Sequence, residues 1–401
     1  MKYLILGAGP AGLSVANKLI ELNEDNFLVL EAENEAGGLC RSQIVDGAPL
    51  DIGGGHFLDV RRPIVNAFLF KFMPMDEWNL FDRNSQISIH GTYIDHPIEA
   101  NIWQLNIDKQ VNYLKSIAMA GCNTGKEEPK EFVDWIYWKL GDRIADNYMI
   151  PYNFKLFGKE LYKLGTYWME KLPNVSFEDT LRSCLMHKAF GEQPGHARFY
   201  YPKKSGYGEL WLRMAKALGD RIEYNKKVIE IDIKRGTVLT NDGAHYEADR
   251  IVTTIPWTSV KTIRGLSDEA SQSIDSLKYS SIQVEYCSED IDTDAHWIYY
   301  PEANISYHRI LVRKNFCLGS KGYWTETNIE RIDESKKTKF AYLNEYAYPL
   351  NTIDKPLIMK KLLRECEVNN VFGLGRWGNH QHYNSDLTVE QGMKLAEKLS
   401  V

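Results

Sequence analysis

The sequence predicts an α/β protein. Its parallel sheet draws strands from both ends of the chain, with a helical domain and an antiparallel β-sheet domain inserted between them. Three observations carry this reading. The chain opens on an apolar strand, a glycine turn, a helix and a second apolar strand, and it closes on a buried strand and a helix. Between these ends the apolar spacing changes from helical to alternating.

The opening strand is Tyr3-Leu4-Ile5-Leu6, and the turn is Gly7-Ala8-Gly9-Pro10-Ala11-Gly12. Leu13, Ala16, Leu19 and Ile20 then recur at helical spacing, and Phe27-Leu28-Val29-Leu30 reads as the next strand, ending at Glu31. Each part has a physical task. Gly7 makes the tight turn, Gly9 lets the backbone approach a pyrophosphate, and Gly12 lets helix and strand pack closely. The helix N-terminus offers free N–H groups to phosphates. Glu31 can accept from ribose hydroxyls and would repel a 2′-phosphate. The unit is therefore expected to bind a dinucleotide in a Rossmann-like fold.

Helical patterns dominate from about Pro63 to Leu185, apart from an extended stretch over 86–98. A helix is expected over 208–218 and a meander from Val228 to Ile251, turning at Asn241-Asp242-Gly243. Residues 280–348 alternate with period two and predict antiparallel sheet. Asn370 to Gly375 forms the last strand, and Val389, Met393 and Ala396 share a face of the last helix. The expected domains are a discontinuous nucleotide-binding domain (1–62, 203–256, 365–401), a helical domain (63–85, 101–200) and an antiparallel sheet domain (86–100, 257–364).

Composition narrows the function. A formal net charge of -6, with no basic run, argues against nucleic acid as a partner. Nothing approaches the ~18 consecutive apolar residues of a membrane span. The opening strand leaves no room for a signal peptide, and six cysteines without paired spacing fit reduced thiols, so a cytoplasmic protein is expected. His380 and His382 lack an identifiable third ligand, so no metal site is expected. The sequence does not fix the oligomeric state.

FAD is the expected dinucleotide, because further segments follow the first motif in order. Gly37-Gly38-Leu39-Cys40-Arg41-Ser42 can run under a flavin, with Arg41 facing phosphates or the ring. Asp51-Ile52-Gly53-Gly54-Gly55-His56 supplies glycines that would let backbone approach a planar ring. Together with Lys227-Val228-Ile229-Glu230 and Gly375-Arg376, these resemble the amine oxidase and protoporphyrinogen oxidase-like FAD superfamily. The resemblance implies that Val228 meets adenine through its backbone and that Gly375 and Arg376 lie by the flavin. Gly38, Gly54 and Gly55 belong with the same cofactor. Asp386, near the start of the last helix, is a cofactor candidate or a plain helix cap.

A narrower resemblance runs along nearly the whole chain. Pro151-Tyr152-Asn153-Phe154-Lys155, Ala197 to Pro202, Gly206 to Trp211, Trp297 to Arg309 and Tyr348-Pro349 are similar to segments of eukaryotic-type UDP-galactopyranose mutases. The resemblance implies that Asn153 meets the uridine end of a UDP-sugar and that Phe157 stacks on the uracil. It implies that Tyr299, Tyr348 and His382 contact the diphosphate, and that Arg309 and Lys171 clamp it. His56 would lie on a loop beside the flavin. The implied reaction interconverts UDP-galactopyranose and UDP-galactofuranose through a bond between N5 of the reduced flavin and the sugar. NADH or NADPH would be the reductant, and surface polysaccharide biosynthesis the setting.

Three positions depart from the mutase pattern: Phe157 stands for tryptophan, Lys171 for arginine and His382 for tyrosine. Lysine keeps the charge but loses the bidentate fork. A related nucleotide sugar would fit these changes. Two rival readings stay open. One is a redox flavoenzyme of the amine oxidase, protoporphyrinogen oxidase or desaturase type. The other is a degenerate, non-catalytic mutase homologue.

Overall fold

The computed structural model describes residues 1–169, 172–191, 197–333 and 340–400. At its centre is a five-stranded parallel sheet in the order Ile222–Glu223, Phe27–Leu30, Tyr3–Leu6, Arg250–Thr253, Val371–Gly373. A parallel sheet needs cover on both faces, and alternation along Tyr3–Leu6 supplies a hydrophobic set to each. Tyr3 and Ile5 join Leu13, Leu19, Trp211 and Val389 in one core. Leu4 and Leu6 join Ile231, Trp257, Met359 and Leu362 in another. Burying side chains of this size stabilises by about 1.5–3 kcal/mol each.

The glycine turn forms as expected. The helix Pro10–Glu21 starts with Gly9 at its N-cap and Pro10 in its first turn. Gly7 has φ +101°, and a Cβ on Gly12 would lie 1.9 Å from the Gly7 carbonyl oxygen. Only glycine lets strand and helix come this close.

A small sheet of His245–Glu247, Thr237–Thr240, Val228–Asp232 and Thr262–Arg264 covers one side. Its tight turn closes where Gly243 N–H donates to Thr240 at 3.0 Å. A separate seven-stranded sheet has the order Ala341–Pro349, Tyr279–Cys287, Tyr323–Asn328, Arg309–Val312, Trp297–Tyr299, Ser85–Ile89, Thr92–Asp95. Its pairs are antiparallel except Trp297–Tyr299 with Ser85–Ile89. The helices Ile107–Ala118, Phe132–Ile144, Ile150–Phe157 and Phe177–Met186 surround a third core that includes Tyr113, Phe132, Ile136 and Ile144. No helix among the described residues is long and apolar enough to cross a membrane.

Two expected boundaries move. Residues 63–85 were assigned to the helical domain, but Trp78–Asp82 is a strand paired with Arg198–Pro202. Phe68, Leu69, Met73 and Trp78 pack in the core of the parallel sheet. The physical reason is aromatic: Trp78 meets Tyr207 edge-on at 6.2 Å, and only tertiary contact decides such a segment. Trp257, Val260, Ile274, Met359 and Leu362, assigned to the antiparallel sheet domain, also pack beside the parallel sheet.

Candidate active site

A cleft of about 250 Å³ opens where the seven-stranded sheet, the helix Ile150–Phe157 and the nucleotide-binding side meet. Strand register builds its floor. Tyr299 pairs with Arg309, and Arg309 pairs with Glu326, so three adjacent strands place these residues in one row. Tyr348 comes from a fourth strand, and Tyr152 and Phe157 face the row from the helix. His56, Arg376 and His382 close the remaining side. A larger groove, about 630 Å³, lies on the helical region among Lys115, Trp138 and Arg143, and none of the predicted site residues lines it.

Charge in the cleft is unbalanced. Among the described residues, Arg83, Arg309 and Arg376 line it against a single carboxylate, Glu326. Glu326 is 1% exposed and fully used. Its Oε2 accepts from Arg309 Nη2 at 2.5 Å and Nε at 3.1 Å, and its Oε1 accepts from the Gly55 N–H at 2.9 Å. Burial alone would raise the carboxyl pKa, but Arg309, then His308 and the Gly55 N–H, outweigh burial and hold it at about 2. Burial disfavours the Arg309 charge, yet Glu326 together with Tyr348, Tyr152 and Tyr299 outweighs burial and raises its pKa. Arg309 Nη1 takes no part in this pairing.

Arg376 has no carboxylate partner among the described residues. It donates to the carbonyls of Tyr383 at 3.1 and 3.0 Å and of Ala347 at 3.1 Å, and its guanidinium lies 5.9 Å from the centre of the Tyr348 ring. Burial lowers its pKa. Tyr299 OH accepts from Trp297 Nε1 at 2.9 Å and from Arg83 Nη2 at 3.2 Å. Tyr348 and His382 meet at 5.0 Å. Tyr300, next along the strand, points the other way and packs on Tyr307 at 5.1 Å. Burial and then the Arg376 charge push the His56 pKa down to about 4, so its imidazole is neutral at pH 7. His56 Nδ1 lies 2.9 Å from the Gly54 carbonyl.

The glycines at 53–55 serve protein packing. A Cβ on Gly53 would meet the Leu39 carbonyl oxygen at 1.8 Å, one on Gly54 the Glu326 carboxylate at 2.9 Å, and one on Gly55 the Leu311 side chain at 2.1 Å. The loop must lie flat against these groups, which is what sets Glu326 beside it.

At the other end of the chain's first motif, Glu31 is 7% exposed and accepts from the N–H groups of Ala8 at 2.7 Å and Glu33 at 3.0 Å. Burial raises its pKa, against these N–H bonds. Gly38, at φ +54°, faces Gly9, and a Cβ on Gly38 would come within 3.3 Å of the Gly9 Cα. Arg41 donates to Tyr342 OH at 2.7 Å and to Gly38 O at 3.0 Å. Gly375 has φ +74° and lies against Ala11, where a Cβ would come within 2.7 Å.

Asn153, Val228 and Asp386 do not line the cleft. Asn153 is buried, and its amide donates to its own helix at Met149 O, 2.7 Å away. Val228 starts a strand of the small sheet. Asp386 takes an ion pair from Arg62 at 2.7 Å and leaves Oδ1 buried without a partner. Lys171 lies outside the described residues. Sequence reasoning missed Arg83 and Glu326. Arg83 sits in a turn between strands, where no spacing marks it. Glu326 had a signal: Thr325-Glu326-Thr327-Asn328 is a polar run inside a strand, and all four prove buried.

The family of flavin containing amine oxidoreductases matches residues 10–284. The chain belongs to that family. Its fold is that of a reduced UDP-galactopyranose mutase, with a TM-score of 0.91, 23% identity and coverage of 99% of this chain and 93% of that one. Putrescine oxidase bound to putrescine gives 0.65 and 14%, covering 99% and 98%. A CLA-producing fatty acid isomerase from P. acnes gives 0.68 and 13%, also covering 99% and 98%. These identities establish a shared fold. Over 53 residues the chain is 45% identical to an uncharacterized protein in the nifH2 3′ region of Methanothermococcus thermolithotrophicus, 13% of this chain. It spans about half the length (50%) of that curated relative.

The residues fit the flavin that the family implies. The facing Gly9 and Gly38 backbones form a cradle that any side chain would fill, beside a helix N-terminus that favours phosphate. A buried carboxylate stands at the edge of that cradle, and the cleft lies beyond Gly53–His56.

Proposed function

We propose that the chain is a mutase acting on a nucleoside-diphosphate sugar, with UDP-galactopyranose and UDP-galactofuranose as the pair it interconverts. The observation that carries this is that, among the described residues, three guanidinium groups and one carboxylate line the cleft, with tyrosines beside them. An amine substrate is a cation, and such a lining repels it. A diphosphate is a dianion or more, and planar forks suit it.

When bound and reduced, the flavin supplies the nucleophile for the anomeric carbon, which is why no side-chain nucleophile is required. Arg309, aimed by Glu326, holds the diphosphate so that the leaving group stays within reach for its return. Tyr299, Tyr348 and His382 donate further hydrogen bonds to the phosphate oxygens, and Arg376 and Arg83 add charge. Phe157 stacks on the base. Neutral His56, with its Nδ1–H donated to the Gly54 carbonyl, can accept one hydrogen bond from the sugar at Nε2 without adding charge. NADH or NADPH is the proposed reductant, and supply of furanose for surface polysaccharide the proposed role.

The test is ligand choice by the FAD-loaded protein. Saturable UDP binding, with no oxygen uptake on putrescine or other amines, supports the mutase reading. Steady oxygen consumption on an amine, without UDP affinity, favours the redox flavoenzyme.

A further inference from the structure

Lys155 lies in the segment that resembles mutases, yet neither substrate nor cofactor needs it in the account above. It is 2% exposed, on the same helix as Tyr152 and Phe157. No carboxylate among the described residues pairs with it. Its Nζ donates instead to two backbone carbonyls, Tyr300 O at 2.7 Å and Tyr307 O at 3.1 Å. These carbonyls sit at the two ends of the loop joining strands Trp297–Tyr299 and Arg309–Val312. The loop's neck is closed by Tyr300 N–H donating to His308 O at 2.9 Å. One residue inward on each arm stand Tyr299 and Arg309. A single amine thus grips both arms of the hairpin just beyond its two cleft residues.

Burial and then the nearby Arg331 charge lower the Lys155 pKa to about 7. Either protonation state keeps at least two N–H donors, so the grip does not depend on charge. A second link joins the same walls, Asn328 Nδ2 donating to Leu156 O at 2.7 Å. Leaving buried carbonyls without donors is unfavourable, so loss of the amine would free the loop to find water.

We infer that Lys155 is a positioning residue: it fastens the hairpin bearing Tyr299 and Arg309 to the helix bearing Tyr152 and Phe157, and so fixes the spacing of the cleft's two walls. The functional half of this rests on the cleft being a nucleoside-diphosphate site.

Two measurements on FAD-loaded Lys155→Met separate the halves. The first is hydrogen exchange. Amides of Tyr300 and His308 should exchange at least ten times faster than in the wild type, while the Tyr3–Leu6 strand stays unchanged. Unchanged exchange at the hairpin overturns the proposal. The second is a double-mutant cycle on UDP affinity with Arg309→Lys. Lys155→Met should weaken UDP at least ten-fold alone, and less than half as much in the Arg309→Lys background, because it acts through Arg309. Equal losses in both backgrounds would mark a merely structural role and overturn it. A wild type without UDP affinity defeats the reading of the cleft, and the exchange result then decides Lys155 by itself. Should Lys155→Met fail to hold FAD, Lys155→Gln, which keeps N–H donors on a shorter arm, carries the same two tests.

Discussion

Replacing Arg309 with alanine strikes two things at once, and the structure gives a size for one of them. The surroundings hold Glu326 at a pKa of about 2 against an ordinary 4.5. At about 1.4 kcal/mol per unit, this favours its charged form by roughly 3 kcal/mol. Arg309 is the largest of the favourable causes, and burial opposes them. Without Arg309, only His308 and the Gly55 N–H are left against burial, and a carboxylate with 1% exposure loses its guanidinium partner. Breaking a buried pair from one side typically destabilises by ~3–5 kcal/mol, which agrees. The sign follows from the depressed pKa: the increment is present above about pH 4.5 and is lost as pH falls toward about 2. Denaturant unfolding of the FAD-loaded proteins should therefore show the gap between wild type and Arg309→Ala largest near pH 7 and narrowing toward pH 4. Adding Glu326→Gln should recover most of that stability. It should not recover UDP affinity, which falls with the direct contact by roughly 2–5 kcal/mol. A variant that unfolds like the wild type across this range and binds UDP equally well would refute the reasoning.

Gly12→Ala places a Cβ 1.9 Å from the Gly7 carbonyl. Overpacking of ~1–3 kcal/mol should appear as reduced flavin retention, read from the 450 nm to 280 nm absorbance ratio of purified protein. His56, lowered to about 4 from 6.5 by burial, binds its proton more readily unfolded. Stability should thus decline as pH falls from about 6.5 toward 4, and His56→Gln should flatten that part of the profile. Tyr299→Phe removes the oxygen that accepts from Trp297 Nε1 and Arg83 Nη2. It should weaken UDP by up to ~ten-fold, the scale of one hydrogen bond, in a calorimetric titration. Arg376→Lys keeps the charge but cannot span the Tyr383 and Ala347 carbonyls together. UDP titration should show it closer to an Arg376→Ala variant than to the wild type.

Much of this was legible in the residues because short-range physics decides it. Gly7, Gly9, Gly12 and Glu31 lie within one strand–turn–helix–strand unit, where spacing fixes who meets whom. Period-two alternation likewise marked 280–348 as sheet. What stayed hidden needed register between distant strands. Nothing local brings Glu326 beside Arg309, or Arg83 beside Tyr299. The Gly53–Gly55 run was visible, but the groups it accommodates, Leu39, Glu326 and Leu311, were not. The same holds for Lys155, whose two partners lie 145 and 152 residues away. Residues 63–85 misled because a short aromatic-rich stretch fits either neighbour until Trp78 meets Tyr207.

The most direct measurement is conversion of UDP-galactofuranose by the purified, FAD-loaded protein, followed by chromatography, with the flavin oxidised and then reduced by dithionite. The account predicts UDP-galactopyranose in the reduced sample and none in the oxidised one, since only reduced flavin is nucleophilic. Equal conversion in both states would contradict the flavin's part in the reaction. No conversion in either, from protein that binds UDP and reduces fully, would contradict the assigned sugar pair.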